Sequence, residues 1–175
     1  GAFAHYQDQE AWTWEHQALT RARVVSSSPA FRARVESVIR EVLMRPRDRD
    51  LTAGDVVEMR TAIAAERGDQ DRWDIKHAAG GLVDIEFIAQ YLQLVHSSER
   101  PEILDTSTAR VLEKAWSLRL IEREDAEVLP DLRNDPRGRQ AARKVLHTFD
   151  PVRQRRHIKQ RLEIADTVEN RRALA

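Results

Sequence analysis

The sequence predicts an all-α protein, a bundle of about six to eight helices, and three observations support this fold class. Ala, Arg, Glu, Leu and Val dominate the 175 residues. Apolar positions recur with the 3.6-residue period of an α-helix, and the alternation of apolar and polar residues that is typical of strands is almost absent. Most prolines and glycines fall between the periodic segments, where they separate one helix from the next.

The composition limits the classes of protein to which the chain can belong. With 41% hydrophobic and 33% charged residues, it is typical of a soluble globular protein, and we expect one helical domain over residues 1–175. Lys+Arg and Asp+Glu both number 29, and this zero balance argues against a nucleic-acid or anionic-membrane partner. The absence of cysteine excludes disulfides and cysteine-based zinc sites and fits a cytoplasmic location. No apolar run reaches the roughly 18 residues of a membrane span.

The apolar rows and the breaks between them predict the individual elements. Val56, Met59 and Ile63 form the inward row of a helix that Thr52 caps, because positions three to four apart share one face. The period is lost between about residues 67 and 82, where Trp73–Lys76 is predicted as a short extended piece. The predicted helices span about 6–25, 30–43, 52–65, 85–97, a segment capped by Thr106 or Ser107 that ends near 118, a short segment from 122, and 139–146 and 151–171.

The segment 85–97 is predicted as the central and most buried helix, with Asp84 as its N-cap. Most of its residues are apolar, and they lie on nearly all sides of the helix, which is the pattern of a helix surrounded by other helices. Its remaining polar row consists of Glu86, Gln90 and Gln93, one to two turns apart.

Arg21 is a candidate site residue because the helical period places it in the row of Trp14 and Ala18. A charge in an apolar row requires a carboxylate, a carbonyl or an anionic ligand, since an unpaired buried charge is costly. The residue therefore forms either an internal ion pair or a contact with an anion such as phosphate. The candidate carboxylates are Asp84 and Glu86, with Glu15 behind them.

Gly80-Gly81 precedes the central helix, and backbone N–H groups at such a place can bind phosphate. Asp84 and Glu86 bring negative charge to the same helix end, which favours a tight turn that lets the helix pack closely. No nucleotide-binding glycine loop, nucleophile elbow or histidine pair with metal-ligand spacing occurs, so no metal site is predicted. The carboxylates of "DRD" and "DQD" (48–50 and 69–71) are predicted as solvated loop charges.

Two stretches together resemble a known family. "YQDQEAWTWEHQALTRARVV" and "DRWDIKHAAGGLVDIEFIAQYLQL" are similar to the helical domain of glutamine synthetase adenylyltransferases, which attach AMP to glutamine synthetase and remove it. The resemblance implies a domain appended to a polymerase-β-like nucleotidyltransferase domain. Residues 13–19 and 80–87 match the C-terminal, AMP-attaching copy of the two in these enzymes. The resemblance is firm over about 4–128, whereas 129–175 diverges.

The resemblance also implies what this chain would contribute. The catalytic carboxylates, ATP and magnesium would belong to the upstream nucleotidyltransferase domain, so the isolated chain should bind no cofactor and be inactive. The partners would be that domain, glutamine synthetase and the PII signalling protein. The alternative is a non-catalytic interaction module that docks glutamine synthetase or PII. Residues placed near the phosphates are Arg21, Arg23 and Lys76, and supporting or interdomain residues are Trp14, Glu15, Gly80, Gly81, Asp84 and Glu86.

Overall fold

In the computed structural model, residues 1–25, 27–71 and 73–121 are described, and they form a helical bundle without strands in those ranges. The predicted all-α class is confirmed for this part of the chain. The helices predicted from residue 122 onward lie outside it. The elements are α1 (Ala2–Gln9), α2 (Thr13–Leu19), α3 (Pro29–Leu43), α4 (Arg49–Arg67), α5 (Leu82–His96), a 3₁₀ turn (Pro101–Ile103) and α6 (Thr108–Ser117).

The single first helix that was predicted over 6–25 is wrong, because two short helices occupy this segment. The Glu15 carboxylate, at the third position of α2, accepts a hydrogen bond from the Trp12 N–H at 2.9 Å. A carboxylate that reaches back to the N-cap in this way fixes a helix start. The inward face of α2 also differs from the predicted row, because Trp14 is exposed and Gln17 is buried.

One later helix start differs from its prediction, and another agrees with it. The N-cap of α4 is Asp48, whose side chain accepts from the Leu51 N–H at 2.9 Å, and the helix therefore begins before the predicted cap, Thr52. The Thr52 hydroxyl lies inside the first turn and donates to the Asp48 carbonyl at 2.6 Å. The predicted N-cap Ser107 is confirmed for α6.

The prediction of a central, most buried helix is confirmed by α5. Eleven of its 15 residues are buried, and α2, α4 and α6 all pack against it. The helix begins at Leu82, so Asp84 is its third residue and not its N-cap. The apolar core around α5 consists of Ala53, Val56, Ile85, Ile88, Ala89, Tyr91, Leu92, Val95, Ile103, Val111, Leu112 and Ala115.

The polar residues of α5 are also accommodated within the bundle. Gln90 is buried, and its side-chain oxygen accepts a hydrogen bond from the side-chain amide of Gln17 in α2 at 3.2 Å. Gln93 is buried as well, and its carbonyl oxygen accepts from the Asp105 N–H at 2.9 Å. These bonds compensate for the desolvation of the two amides, which would otherwise destabilise the core.

Candidate functional site

The segment before α5 is a compact loop of consecutive turns, and the predicted extended piece Trp73–Lys76 is wrong. One oxygen of the Asp74 carboxylate accepts from the N–H groups of Lys76 and His77, both at 3.0 Å, and the other contacts His77 Nδ1 at 2.9 Å. The hydrogen bonds from the His77 ring and backbone lower the pKa of Asp74. The carboxylate thus stabilises a turn, and the segment cannot be an extended strand.

Carbonyl oxygens of this loop accept hydrogen bonds from the first backbone N–H groups of α5. The Leu82 N–H donates to Ile75 O at 3.0 Å, and the Val83 N–H donates to Lys76 O at 3.1 Å. Because these donors are already paired within the chain, they are not open to a phosphate. The geometry favours the tight-turn interpretation of the double glycine.

Both glycines are required by the close packing of the loop on the helix. Gly80 has a φ of 80°, which is the left-handed region that glycine adopts without strain. A Cβ atom at Gly81 would lie 2.7 Å from the carbonyl oxygens of both Ile75 and Ala78. The second glycine is therefore needed because backbone atoms approach it too closely for any side chain.

We expect Gly81→Ala to lower the free energy of unfolding by about 1–3 kcal/mol, the usual cost of overpacking. The obstructing atoms are backbone oxygens, which move only if the loop moves. The matched control is Gly54→Ala, at an exposed position in α4 with open space around it. This control should stabilise by about 0.5–1 kcal/mol, because alanine favours a helix over glycine. Urea unfolding measures both, and equal effects of the two variants would contradict the prediction.

Asp84 is buried under the loop and connects three segments. One carboxylate oxygen pairs with Arg60 Nε of α4, and the other accepts from the Gly80 N–H. The Arg60 Nη2 atom donates in turn to the His77 carbonyl at 2.9 Å. The two side chains are 11% and 2% exposed, so this is a buried ion pair. It ties α4 to the loop and to the first turn of α5.

Arg60 did not emerge from the sequence as a candidate, although a signal for it was present. It lies four residues after the buried Val56, between the half-buried Met59 and Ile63. A cation in an apolar row requires a counter-charge, and this requirement is stronger at Arg60 than at Arg21.

Arg21 pairs with Glu86, one of the carboxylates predicted for it, but the pair lies at the surface. The side chains are 46% and 39% exposed, and Trp14 in the same row is 48% exposed. The premise of an apolar, buried row is therefore wrong, since the row faces outward. The third candidate carboxylate, Glu15, accepts instead from the Tyr6 hydroxyl at 2.5 Å. That bond, with the bond from the Trp12 N–H, lowers the pKa of Glu15.

The remaining predicted cations, Arg23 and Lys76, are both exposed. Lys76 lies at the start of α5, because its carbonyl accepts from Val83, one turn before Glu86. The Lys76 backbone and, through Glu86, the Arg21 side chain therefore lie at the first turns of α5. Within residues 1–25, 27–71 and 73–121, no hydrogen bond or ion pair joins Arg23 to Arg21 or Lys76.

The Arg21–Glu86 pair links exposed residues of α2 to the first turns of α5, and we call this set of residues, together with the exposed Ile75 of the loop, the motif face. Trp14 and Ala18 are one turn apart, the Arg21 N–H donates to Ala18 O at 3.1 Å, and the Arg21 side chain pairs with Glu86. Leu82 precedes Glu86 by one turn. The motif face consists of Trp14, Ala18, Arg21, Ile75, Leu82 and Glu86.

The described residues contain neither a metal-binding cluster nor a membrane-spanning helix. No group of three or more His, Asp or Glu side chains in residues 1–25, 27–71 and 73–121 could hold a metal ion. No helix in the same part of the chain has the length and apolar character needed to cross a membrane.

Comparison with known proteins gives two family models and several curated relatives. A model described as glutamate-ammonia ligase adenylyltransferase matches residues 1–38, and one described as GlnD PII-uridylyltransferase matches residues 57–170. Among the relatives are bifunctional glutamine synthetase adenylyltransferase/adenylyl-removing enzymes. Those of Bradyrhizobium sp. strain BTAi1 and Rhodopseudomonas palustris strain TIE-1 are 62% and 63% identical over 128 residues. The matched part is 73% of this chain and 13% of each relative's length.

Proposed function

The chain belongs to the glutamine synthetase adenylyltransferase family, and from this premise we propose that it is the helical domain following the AMP-attaching nucleotidyltransferase domain. The matched part spans 13% of the relatives' length, so most of such an enzyme lies outside it. The proposal takes residues 1–175 as one domain, and the family-model match over 57–170 supports continuity beyond the described residues. The enzyme would act in the cytoplasm.

The proposed reaction transfers AMP from ATP to a tyrosine of glutamine synthetase. The tyrosine oxygen forms a bond to the α-phosphorus, the bond from that phosphorus to the bridging oxygen breaks, and pyrophosphate and the phenolic proton leave. Magnesium, when bound by carboxylates of the upstream domain, would neutralise phosphate charge. The residues of this chain would shape one wall of the cleft and exclude water from it.

The observation that carries the proposal is the motif face. Ile75 and Trp14 are 56% and 48% exposed, and large apolar side chains that stay exposed together typically mark an interface. We place the neighbouring nucleotidyltransferase domain on this face. Arg21 and Lys76, near the N-terminus of α5, would then lie at the edge of the motif face that is closest to the phosphates. Arg23 is a third candidate for this role. Glu86 would orient Arg21.

A protein-interaction module is the second candidate function. The model that matches residues 57–170 is described as a PII-uridylyltransferase, which favours an association with PII signalling. In that case PII or glutamine synthetase would cover the motif face, and its residues would not contact nucleotide. In motif-face variants, loss of PII binding with unchanged AMP transfer, or a raised KM for glutamine synthetase with an unchanged KM for ATP, would favour this candidate.

We predict that the isolated chain does not transfer AMP. It contains no Gly-Ser turn of the kind that precedes the metal-binding carboxylates in the nucleotidyltransferase domains that the resemblance implies. The measurement is incorporation of labelled AMP into glutamine synthetase in the presence of ATP and magnesium. The longer protein that carries the upstream domain is the positive control. Label above background with the isolated chain would contradict the proposed division of labour.

Arg21→Ala separates a structural role from a role in the cleft. Because the Arg21–Glu86 pair is half-exposed, its loss should change the free energy of unfolding by no more than about 1 kcal/mol. If Arg21 meets phosphate, AMP transfer by the longer protein should fall, and the loss should grow as the ATP concentration is lowered. Arg67→Ala, in an exposed pair with Glu66, is the matched control. Unchanged transfer at all ATP concentrations would remove Arg21 from the proposed site.

A further inference from the structure

We propose that Arg60 is a positioning residue for AMP transfer, which holds the loop 74–81 in the placement that the neighbouring domain requires. This inference rests on the proposed function. Arg60 itself cannot take part in the chemistry, because its side chain is 11% exposed and its partners are Asp84 and the His77 carbonyl. It would act through the exposed loop residues Ile75 and Lys76.

The geometry of the guanidinium group is the first support. Arginine presents its donors in a rigid plane, so one side chain can fix two acceptors relative to each other. Here Arg60 Nε pairs with Asp84 of α5, and Arg60 Nη2 donates to His77 O in the loop. The second oxygen of Asp84 accepts from the Gly80 N–H. The loop is therefore attached at two points, at Gly80 to the Asp84 carboxylate and at His77 to the guanidinium group that pairs with this carboxylate.

The position of the attachment points is the second support. His77 follows directly after the exposed Ile75 and Lys76, and Gly80 lies three residues further along the loop. The carbonyls of Ile75 and Lys76 in turn accept from the first amides of α5. A shift of the loop would therefore displace Ile75 and Lys76, the two residues that we place against the neighbouring domain and the phosphates.

The third support is that the core does not depend on this pair for its burial. The apolar cluster around α5 is formed by other side chains, such as Ile88, Leu92 and Val111. Replacement of a buried ion pair by apolar residues of similar volume is often neutral or stabilising. Stability alone therefore does not explain why the chain has an ion pair at this position instead of two apolar residues. The attachment of the loop does explain it.

The experiment uses the full-length protein that contains this domain and compares four variants. Arg60→Lys keeps the charge and loses the planar fork, whereas Arg60→Met leaves Asp84 without its partner. In Arg60→Met combined with Asp84→Asn, the buried charge is removed and the amide oxygen can still accept from Gly80. Arg67→Lys, in the same helix but at an exposed pair, is the control. The readouts are thermal melting, amide hydrogen exchange of peptides covering 74–82, and kcat for AMP transfer.

We expect Arg60→Lys to accelerate exchange in the loop and to lower kcat by about 10- to 100-fold, since a misplacement of about 1 Å can cost 10²-fold. The double variant should regain the melting temperature that Arg60→Met loses, while its kcat remains low. Recovery of kcat together with melting would show a purely structural role and overturn the inference, as would a normal kcat in Arg60→Lys. A wild-type protein that transfers no AMP would instead overturn the proposed function, and the exchange of the loop distinguishes the two failures.

Discussion

Replacement of Asp84 by alanine is expected to lower the free energy of unfolding by about 3–5 kcal/mol, the usual cost of removing one partner from a buried ion pair. Arg60 would remain buried without a counter-charge, and the Gly80 N–H would lose its acceptor. Equilibrium unfolding in urea measures the effect.

The control for Asp84→Ala lies two residues further along the same helix. Glu86→Ala also removes a carboxylate that pairs with an arginine, but this pair is half-exposed. Its cost should be no more than about 1 kcal/mol, because surface ion pairs contribute little. Similar losses in the two variants would show that burial of the Asp84–Arg60 pair does not determine its contribution.

Leu92→Ala is expected to destabilise by about 2–5 kcal/mol, through the lost transfer free energy of the side chain and the cavity that remains. Leu92 is buried in the middle of α5, where it belongs to the apolar cluster. Leu51→Ala removes the same atoms from a largely exposed position in α4 and should change stability by less than about 0.5 kcal/mol. A loss below about 1 kcal/mol for Leu92→Ala would contradict a central role for α5.

The elements that could be predicted from the sequence are those with a strong apolar period. The helix α5 is apolar on nearly all sides, and its central position followed from that pattern alone. The segment 6–25 also has a helical period, yet it is divided at residues 10–12. The period does not reveal the break because it is made by local hydrogen bonds, above all from the Trp12 N–H to Glu15.

The candidate site was predictable in part, and the missing part depends on tertiary contacts. Glu86 was among the predicted partners of Arg21, since both residues lie in the two motif stretches. Whether that pair is buried depends on the rotation of α2 about its axis, which is set by its packing against α3, α4 and α5. Arg60 lies outside both motif stretches, and only the packing of α4 against α5 shows that it is the partner of Asp84.

The buried amide pair between Gln17 and Gln90 has a consequence for the uniqueness of the native arrangement. Leucine side chains at these positions would allow α2 to slide by a turn along α5 at little cost, because apolar contacts are not directional. The amide–amide bond is directional, and a slip would leave its donor, Gln17 Nε2, and its acceptor, Gln90 Oε1, desolvated and unpaired. We therefore expect this pair to select a single register for α2, and with it a single placement of the Trp14 side chain on the surface.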